Sequence, residues 1–215
     1  SGIVPLAANK ACSLQHVLCN SFGFGGNDTS LLFSLPSKVQ HIGEQSIANC
    51  RTICTKSRVN MADIADPSEI KRFVKPMELR RMSGLMRRAV LTSMLALEEA
   101  GIAVPDAIIT ATSLGCLENS EKMLLDMVQQ GEGSVSPTLF MQSTHNTIGS
   151  TIAIKLGCHG YNATYTQGEK SLEWALKDAE LLLQSGACRS VLVGYHDETT
   201  ALYRQLLARL GKQES

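Results

Sequence analysis

The densest run of residues suited to chemistry is Asn20-Ser21-Phe22-Gly23-Phe24-Gly25-Gly26-Asn27-Asp28. Closely spaced glycines let backbone N–H groups approach a ligand, so such a turn can cradle a phosphate or an oxyanion. No Lys-Ser/Thr follows, which excludes a P-loop. Taken alone, the glycines equally describe a flexible hairpin loop between two apolar runs. The seven cysteines (Cys12, Cys19, Cys50, Cys54, Cys116, Cys158, Cys188) are odd in number and scattered. Cys50 and Cys54 form the one close pair, and no second pair or His-x-x-x-His completes a zinc set. They read as reduced, mostly buried thiols of a cytoplasmic protein rather than a disulfide framework. His196-Asp197-Glu198 invites a metal reading, but adjacent side chains point apart and rarely converge on one ion. His145 and His159 read as structural residues, His145 with the option of capping a helix or contacting a partner.

The elements that must position these residues follow from hydrophobic period. Val17–Cys19 and Ser30–Phe33 flank the Gly-rich run as two strands of a hairpin. Val39 to Ile47 and Arg51 to Thr55 suggest further strands, and Asn60 to Pro67 a loop. From Pro76 the pattern alternates helix and strand. Leu79, Met82, Leu85, Met86, Ala89, Val90, Met94 and Leu97 keep helical spacing from a Pro76 start to a Gly101 stop. Ala107–Ala111, Thr164–Thr166 and Ser190–Gly194 read as strands. Segments 118–130, 146–156, 171–185 and 200–210 read as helices. Strands separated by helices imply right-handed crossovers and a mainly parallel sheet, hence an α/β class.

Composition narrows the function. Of 215 residues, 44% are hydrophobic, enough for a sizeable core. Lys plus Arg and Asp plus Glu number 20 each, so no bulk field favours nucleic acid or an anionic membrane. No apolar run reaches the ~18–20 residues of a membrane span. No cofactor motif is present. The chain starts at Ser1 rather than Met, as expected of a processed chain or a cloned or tag-scarred piece.

The string Asn20 to Asp28 closely resembles NSFGFGGTNA, found near the C-terminus of β-ketoacyl-acyl-carrier-protein synthases, with Asn27-Asp28 departing from the family's Thr-Asn. The resemblance implies that Phe24 lines the active site, that Gly25 and Gly26 make the turn, and that a backbone N–H there helps form the oxyanion hole. A second resemblance to the same family runs from residue 76 to 198. Glu78-Leu79-Arg80-Arg81-Met82-Ser83 resembles its E-x-R-R-M-D segment, and Ala107 to Gly115 its strand-and-glycine stretch. Ser136-Pro137, Phe140, Asn146 and Ala153-Ile154-Lys155-Leu156-Gly157 follow in its order. Gly160-Tyr161-Asn162 resembles its G-P-N, and Gly186 with Val191-Leu192-Val193-Gly194 its next helix end and strand. These pieces are similar to the N-terminal half of a synthase, whereas the Gly-rich string is similar to its very end. The expected organisation is therefore a synthase C-terminal-type hairpin over residues 1–36 and an N-terminal-like domain over 37–215. Either the first segment closes a preceding synthase, which the non-Met start favours, or the order is permuted and the hairpin completes this chain's own sheet.

The resemblance implies a thiolase-like half-domain, a mainly parallel sheet flanked by helices. It also exposes a departure. In the family a catalytic Cys sits on a strand-to-helix turn, its thiolate stabilised by the helix N-terminus. Counting from Asn162 without a gap, that position is Glu169. Without a nucleophile there is no covalent acyl intermediate. Glu169 reads first as a favourable charge at a helix start, and alternatively as a mimic of an acylated or carboxylated state. Chain-length factors, which carry Gln at this point, are similar in this respect. The two histidines and the lysine that serve malonyl decarboxylation belong to a second half whose motifs do not occur here. Three readings remain: a non-condensing partner of an active synthase in fatty acid, polyene or polyketide synthesis; an acyltransferase (3-oxoacyl-carrier-protein synthase) completed by another chain or segment; and a non-catalytic binding module. The partners implied are an acyl-carrier protein and an active synthase, in a homo- or heterodimer. The family dimerises through the strand before the nucleophile turn, so association is expected around Asn162–Thr166 and the 146–156 helix, burying Tyr165, Ile148 and Ile152.

Overall fold

The computed structural model describes residues 16–22, 28–34, 52–131, 133 and 135–212. The chain divides into two units, residues 1–49 and 50–215. In the first, β1 (His16–Phe22) pairs antiparallel with β2 (Asp28–Ser34), Cys19 opposite Leu31. The turn with Phe24, Gly25 and Gly26 and the expected 39–47 strand lie outside the described residues.

In the second unit, residues 52–55 join no ladder, contrary to the strand expected there. The expected 60–67 loop holds two short 3₁₀ turns, Met61–Asp63 and Pro67–Glu69, capped by the Asn60 and Asp66 side chains. Then follow α1 (Ile70–Phe73), α2 (Pro76–Arg81) and α3 (Gly84–Ala100). The single helix expected from Pro76 is broken in two. Ser83 is extended, and its hydroxyl accepts the Met86 N–H at 3.2 Å, so it opens a new helix instead of continuing the old one. Ser83→Ala is expected to lower stability by about 1 kcal/mol, read as a shift in the urea midpoint with an unchanged slope.

β3 (Ala107–Ala111) leads to α4 (Leu117–Gln130), α5 (Pro137–Ser143) and α6 (Thr147–Leu156). β4 (Tyr161–Tyr165), α7 (Ser171–Gln184), β5 (Val191–Tyr195) and α8 (Ala201–Arg209) complete the order. The sheet runs β4-β3-β5, all parallel, with Ile109 between Ala163 and Val193. β4 starts three residues before the expected strand and ends before Thr166. β5 is displaced by one residue, and α5 has no counterpart among the expected elements.

The central strand β3 is buried along its whole length because helices cover both faces. Ile108 faces a core formed with Leu85, Ala89 and Val90 of α3 and Ile148 and Ile152 of α6. Ile109 and Ala111 face Ala175 and Ala179 of α7, whose small side chains let that helix lie close to the sheet. The remaining surface of α7 is exposed and mixed in character, with Leu172, Trp174, Leu176 and Leu181 beside Glu173, Lys177 and Glu180. Two contacts fix the strand entrances. Gly160 has no room for a β-carbon, which would fall on the Asp106 carbonyl oxygen. The Asp106 carboxylate accepts the Arg189 and Ser190 N–H groups at 2.8 and 3.1 Å, and these bonds hold it below the usual carboxylate range.

Candidate functional site

The loops that leave the C-terminal ends of β3, β4 and β5 are where an open parallel sheet places a ligand. The loop after β4 is a single 3₁₀ turn, Gly168–Lys170, opened by Gly168 at φ +61°. Glu169 sits on this turn, exposed, immediately before α7. The turn is pinned from beneath by Ser171, fully buried, whose Oγ lies 2.9 Å from the Thr112 carbonyl oxygen and 2.7 Å from that of Gly168. Glu169 therefore occupies a strand-to-helix elbow at a helix N-terminus, a place where a carboxylate is electrostatically favoured.

No described thiol replaces it. Cys116 is buried behind the first loop, and burial, reinforced by Glu198, pushes its thiol up to about 12. Cys158 lies at the opposite end of the sheet, donating to the Pro105 carbonyl at 3.3 Å. Cys188 is buried, and burial raises its thiol as well. Cys54 is exposed, within the irregular 52–60 segment. Thiolate attack at the elbow has no donor among these groups.

The other two loops are bound together by Asp197. Its carboxylate accepts from Thr112 Oγ1, from the Ser113 and Leu114 N–H groups at 2.8 and 2.9 Å, and from the Tyr195 hydroxyl at 2.6 Å. Burial opposes ionisation of Asp197, but these four donors outweigh it and hold the carboxyl below its ordinary range. Tyr195 Oη also lies 3.1 Å from Ser113 Oγ, and burial followed by the Asp197 bond raises its phenol. All four bonds to Asp197 are long-range or local contacts within the protein, so the carboxylate is a clasp rather than a base offered to a ligand.

Its neighbours point elsewhere. His196 is half-buried as a residue, but its Nε2 is shut off from solvent with no hydrogen-bond partner, and the ring lies where a β-carbon on Gly194 would stand. Burial pushes its imidazole down to about 4, against the pull of Asp197 and with the help of Arg88, so it is neutral at pH 7. Glu198 accepts the Glu118 N–H at the start of α4 at 3.0 Å and pairs with Arg88 at 3.6 Å. The three side chains diverge, and no group of three or more His, Cys, Asp or Glu among the described residues is arranged to hold a metal. His145 packs over Gly115, whose φ of +67° and missing β-carbon make room for the ring.

The residues expected at an interface separate. Tyr165 ends β4, an edge strand, half-buried; burial and Asp178 raise its phenol. Tyr161, at the other end of β4, donates to Asp178 at 2.9 Å. Ile148 and Ile152 instead point into the chain's own core against α3, and Ile154 is the isoleucine that α6 turns outward. Sequence reasoning missed the Thr112–Ser113–Tyr195–Asp197 clasp and the Ser171 pin. The available signal was an acidic residue two positions beyond a strand ending in Tyr, facing a Thr-Ser pair at the end of another.

Known structures place this geometry. A chain in the complex of a ketosynthase (ApeO) with its chain length factor (ApeC) from Xenorhabdus doucetiae is 28% identical, with a TM-score of 0.54 over 62% of this chain and 54% of that one. The ishigamide ketosynthase/chain length factor is 22% identical, with a TM-score of 0.57 over 68% of this chain and 42% of that one. A type II polyketide ketosynthase in complex with its acyl-carrier protein (AntDE:AntF) shares the fold at 12% identity and a TM-score of 0.57, over 67% and 44% of the two chains. The region shared with these proteins is about half their length. A search of curated proteins finds no match. No helix among the described residues is long and apolar enough to cross a membrane. The sequence matches the β-ketoacyl synthase N-terminal domain family over residues 54–213, most of its length, and the chain belongs to that family.

Proposed function

We propose that this chain is a non-condensing, chain-length-factor-like partner of an active ketosynthase in fatty acid, polyene or polyketide synthesis, acting in the cytoplasm. The observation that supports the reading is Glu169 on the turn between β4 and α7, the position that the resemblance gives to the family's cysteine, with no accessible thiol at that end of the sheet among the described residues. Acyl transfer through a covalent thioester has no starting group on this turn. The similarity to a complex of a ketosynthase with its chain length factor supports a partner role. Residues 1–36 are read as a synthase C-terminal-type segment and 37–215 as the N-terminal-like domain, with Phe24, Gly25 and Gly26 lining an oxyanion site. No cofactor is required.

Two surfaces support the partners. Between Lys71 and Arg88 stand seven basic residues and one acidic one, on a chain of zero net charge. Lys71, Lys75, Arg80, Arg81 and Arg87 are exposed, a basic stretch of the sequence suited to an acidic acyl-carrier protein. Among the described residues the outer edge of β4, with Tyr165, is an unpaired ladder of the kind that recruits a second strand, and we assign it to the condensing synthase.

The test is a condensation assay with acyl- and malonyl-carrier thioesters, using the chain alone and with a candidate ketosynthase, followed by co-purification. The expected result is no product from the chain alone and a stable complex with the synthase that Tyr165→Asp weakens at least tenfold. Product from the chain alone would favour the acyltransferase reading. Absence of both product and complex would leave a solitary binding module.

A further inference from the structure

Between the turns that precede α1 and the first half of α3 lies a hollow of about 340 Å³, a size that suits a small organic ligand. Its apolar walls are Met61, Ile70, Leu79 and Leu91, drawn from the first 3₁₀ turn, α1, α2 and α3 in that order. Ile70 and Leu91 are buried, and Met61 and Leu79 are half-buried, so the hollow opens outward from the core. Gly84, the first residue of α3, also lines it and carries no side chain to fill it.

The charged groups at this hollow have one sign. Arg87 and Arg88 line it, and no carboxylate among the described residues does. Arg87 Nε donates to the Leu79 carbonyl oxygen at 3.1 Å, which places the guanidinium at the wall while using one of its five N–H donors. Arg88 stands 3.6 Å from Glu198, an ion pair too long for a hydrogen bond, and its side chain is 43% exposed. A β-carbon on Gly84 would lie 3.4 Å from an Arg88 Nη, so this guanidinium borders the space that the glycine leaves. The carboxylates around the rim are engaged within the chain. Glu118 takes Lys122 at 2.6 Å, and Asp66 takes the Ser68 N–H and hydroxyl at 2.8 and 2.7 Å. An apolar wall next to two guanidinium groups with donors to spare complements a molecule with an apolar body and one anionic end. The body leaves water, and the anion gains charge-assisted hydrogen bonds.

We propose that this hollow binds a small apolar monocarboxylate, its body against Met61, Ile70, Leu79 and Leu91 and its carboxylate on Arg87 and Arg88. None of the lining residues belongs to the loops after β3, β4 and β5, so the site is separate from the Glu169 turn and the Asp197 clasp. It does not rest on the functional reading above, and it shares Arg87 alone with the basic stretch assigned there.

The experiment is an amide chemical-shift titration of the full chain with hexanoate, and with hexanamide and hexylammonium as neutral and cationic molecules of the same body. The proposal expects saturable hexanoate binding with a Kd of about 1 mM or tighter, with shifts centred on Met61, Ile70, Gly84, Arg88 and Leu91. Both analogues bind about tenfold more weakly, and added salt weakens hexanoate alone. Gly84→Leu fills the hollow with a better helix former and abolishes binding while the circular dichroism spectrum stays that of the wild type. Arg88→Met weakens hexanoate about tenfold without changing hexanamide. Arg87→Met takes that role should Arg88→Met lose the wild-type spectrum by freeing Glu198. Four results would overturn the proposal: hexanoate that fails to saturate, hexanamide that binds as tightly, a Gly84→Leu chain that binds as the wild type does, or shifts centred on another surface.

Discussion

Gly160→Ala is expected to cost about 3 kcal/mol or more and to leave little folded chain at 37 °C. The added methyl would fall on the Asp106 backbone oxygen, and neither partner is a flexible side-chain end that can swing away. Relief requires moving the start of β4 away from β3, against the parallel ladder that pairs Tyr161 with Ala107. Overpacking that displaces backbone belongs to the severe class of substitutions. Gly157 provides the control three residues earlier. Its φ is +64° and a β-carbon there would meet nothing within 4 Å, so Gly157→Ala is expected to cost only the left-handed backbone penalty of about 1 kcal/mol. Urea melts of the two variants should therefore differ widely, and equal midpoints would contradict the assigned contact.

The second large effect is a loss of stability in weak acid that depends on one imidazole. The Nε2 of His196 is shut off from solvent, and its pKa is lowered to about 4. In the unfolded chain it titrates near ~6.5. Between these values the unfolded state binds a proton that the folded state refuses. The neutral folded form is thus unpenalised above about pH 6.5 and loses ground steadily as the pH falls toward 4. At pH 5 the linkage amounts to about 2 kcal/mol, and its full span to about 3 kcal/mol. Asp197 acts lower on the scale. Its depressed pKa gives stability that is present above the unfolded carboxyl value of about 3.9 and is lost only as the pH falls through the folded value. The two groups are separable by substitution. His196→Leu should flatten the stability difference between pH 7.5 and pH 5, because the Nε2 it removes has no partner to lose. A His196→Leu chain that keeps the wild-type acid dependence would show that another group carries it.

Much of the domain was legible because its elements are periodic. The apolar spacing of α3 and the left-handed Gly101 and Gly157 that end α3 and α6 are local signals, and each is realised where the sequence indicated. The three strands are present in one parallel sheet, with β4 starting at Tyr161 because Gly160 brings the chain against Asp106 there. Ser83 was read as a member of a continuous helix because periodicity does not weigh a capping hydroxyl against one more helical turn. Ile148 and Ile152 show another limit. Spacing reveals that they share a face of α6, but not whether that face meets the chain's own α3 or a partner, and the structure chooses α3. The clasp was illegible for a different reason. Thr112 and Asp197 are 85 residues apart, and nothing in local composition announces a pairing at that distance. Glu169 was singled out by resemblance rather than by spacing; it lies on the turn between β4 and α7.

The absence of a nucleophile is the central claim, and intact-mass analysis tests it most directly. The purified chain would be incubated with excess acyl-carrier thioester, and any mass gain located by peptide mapping of residues 164–172. The account predicts an unmodified peptide there, whatever slow acylation occurs at the exposed Cys54. An acyl group on that peptide would contradict it, showing that the elbow carries a covalent intermediate and that the chain is a catalyst in its own right.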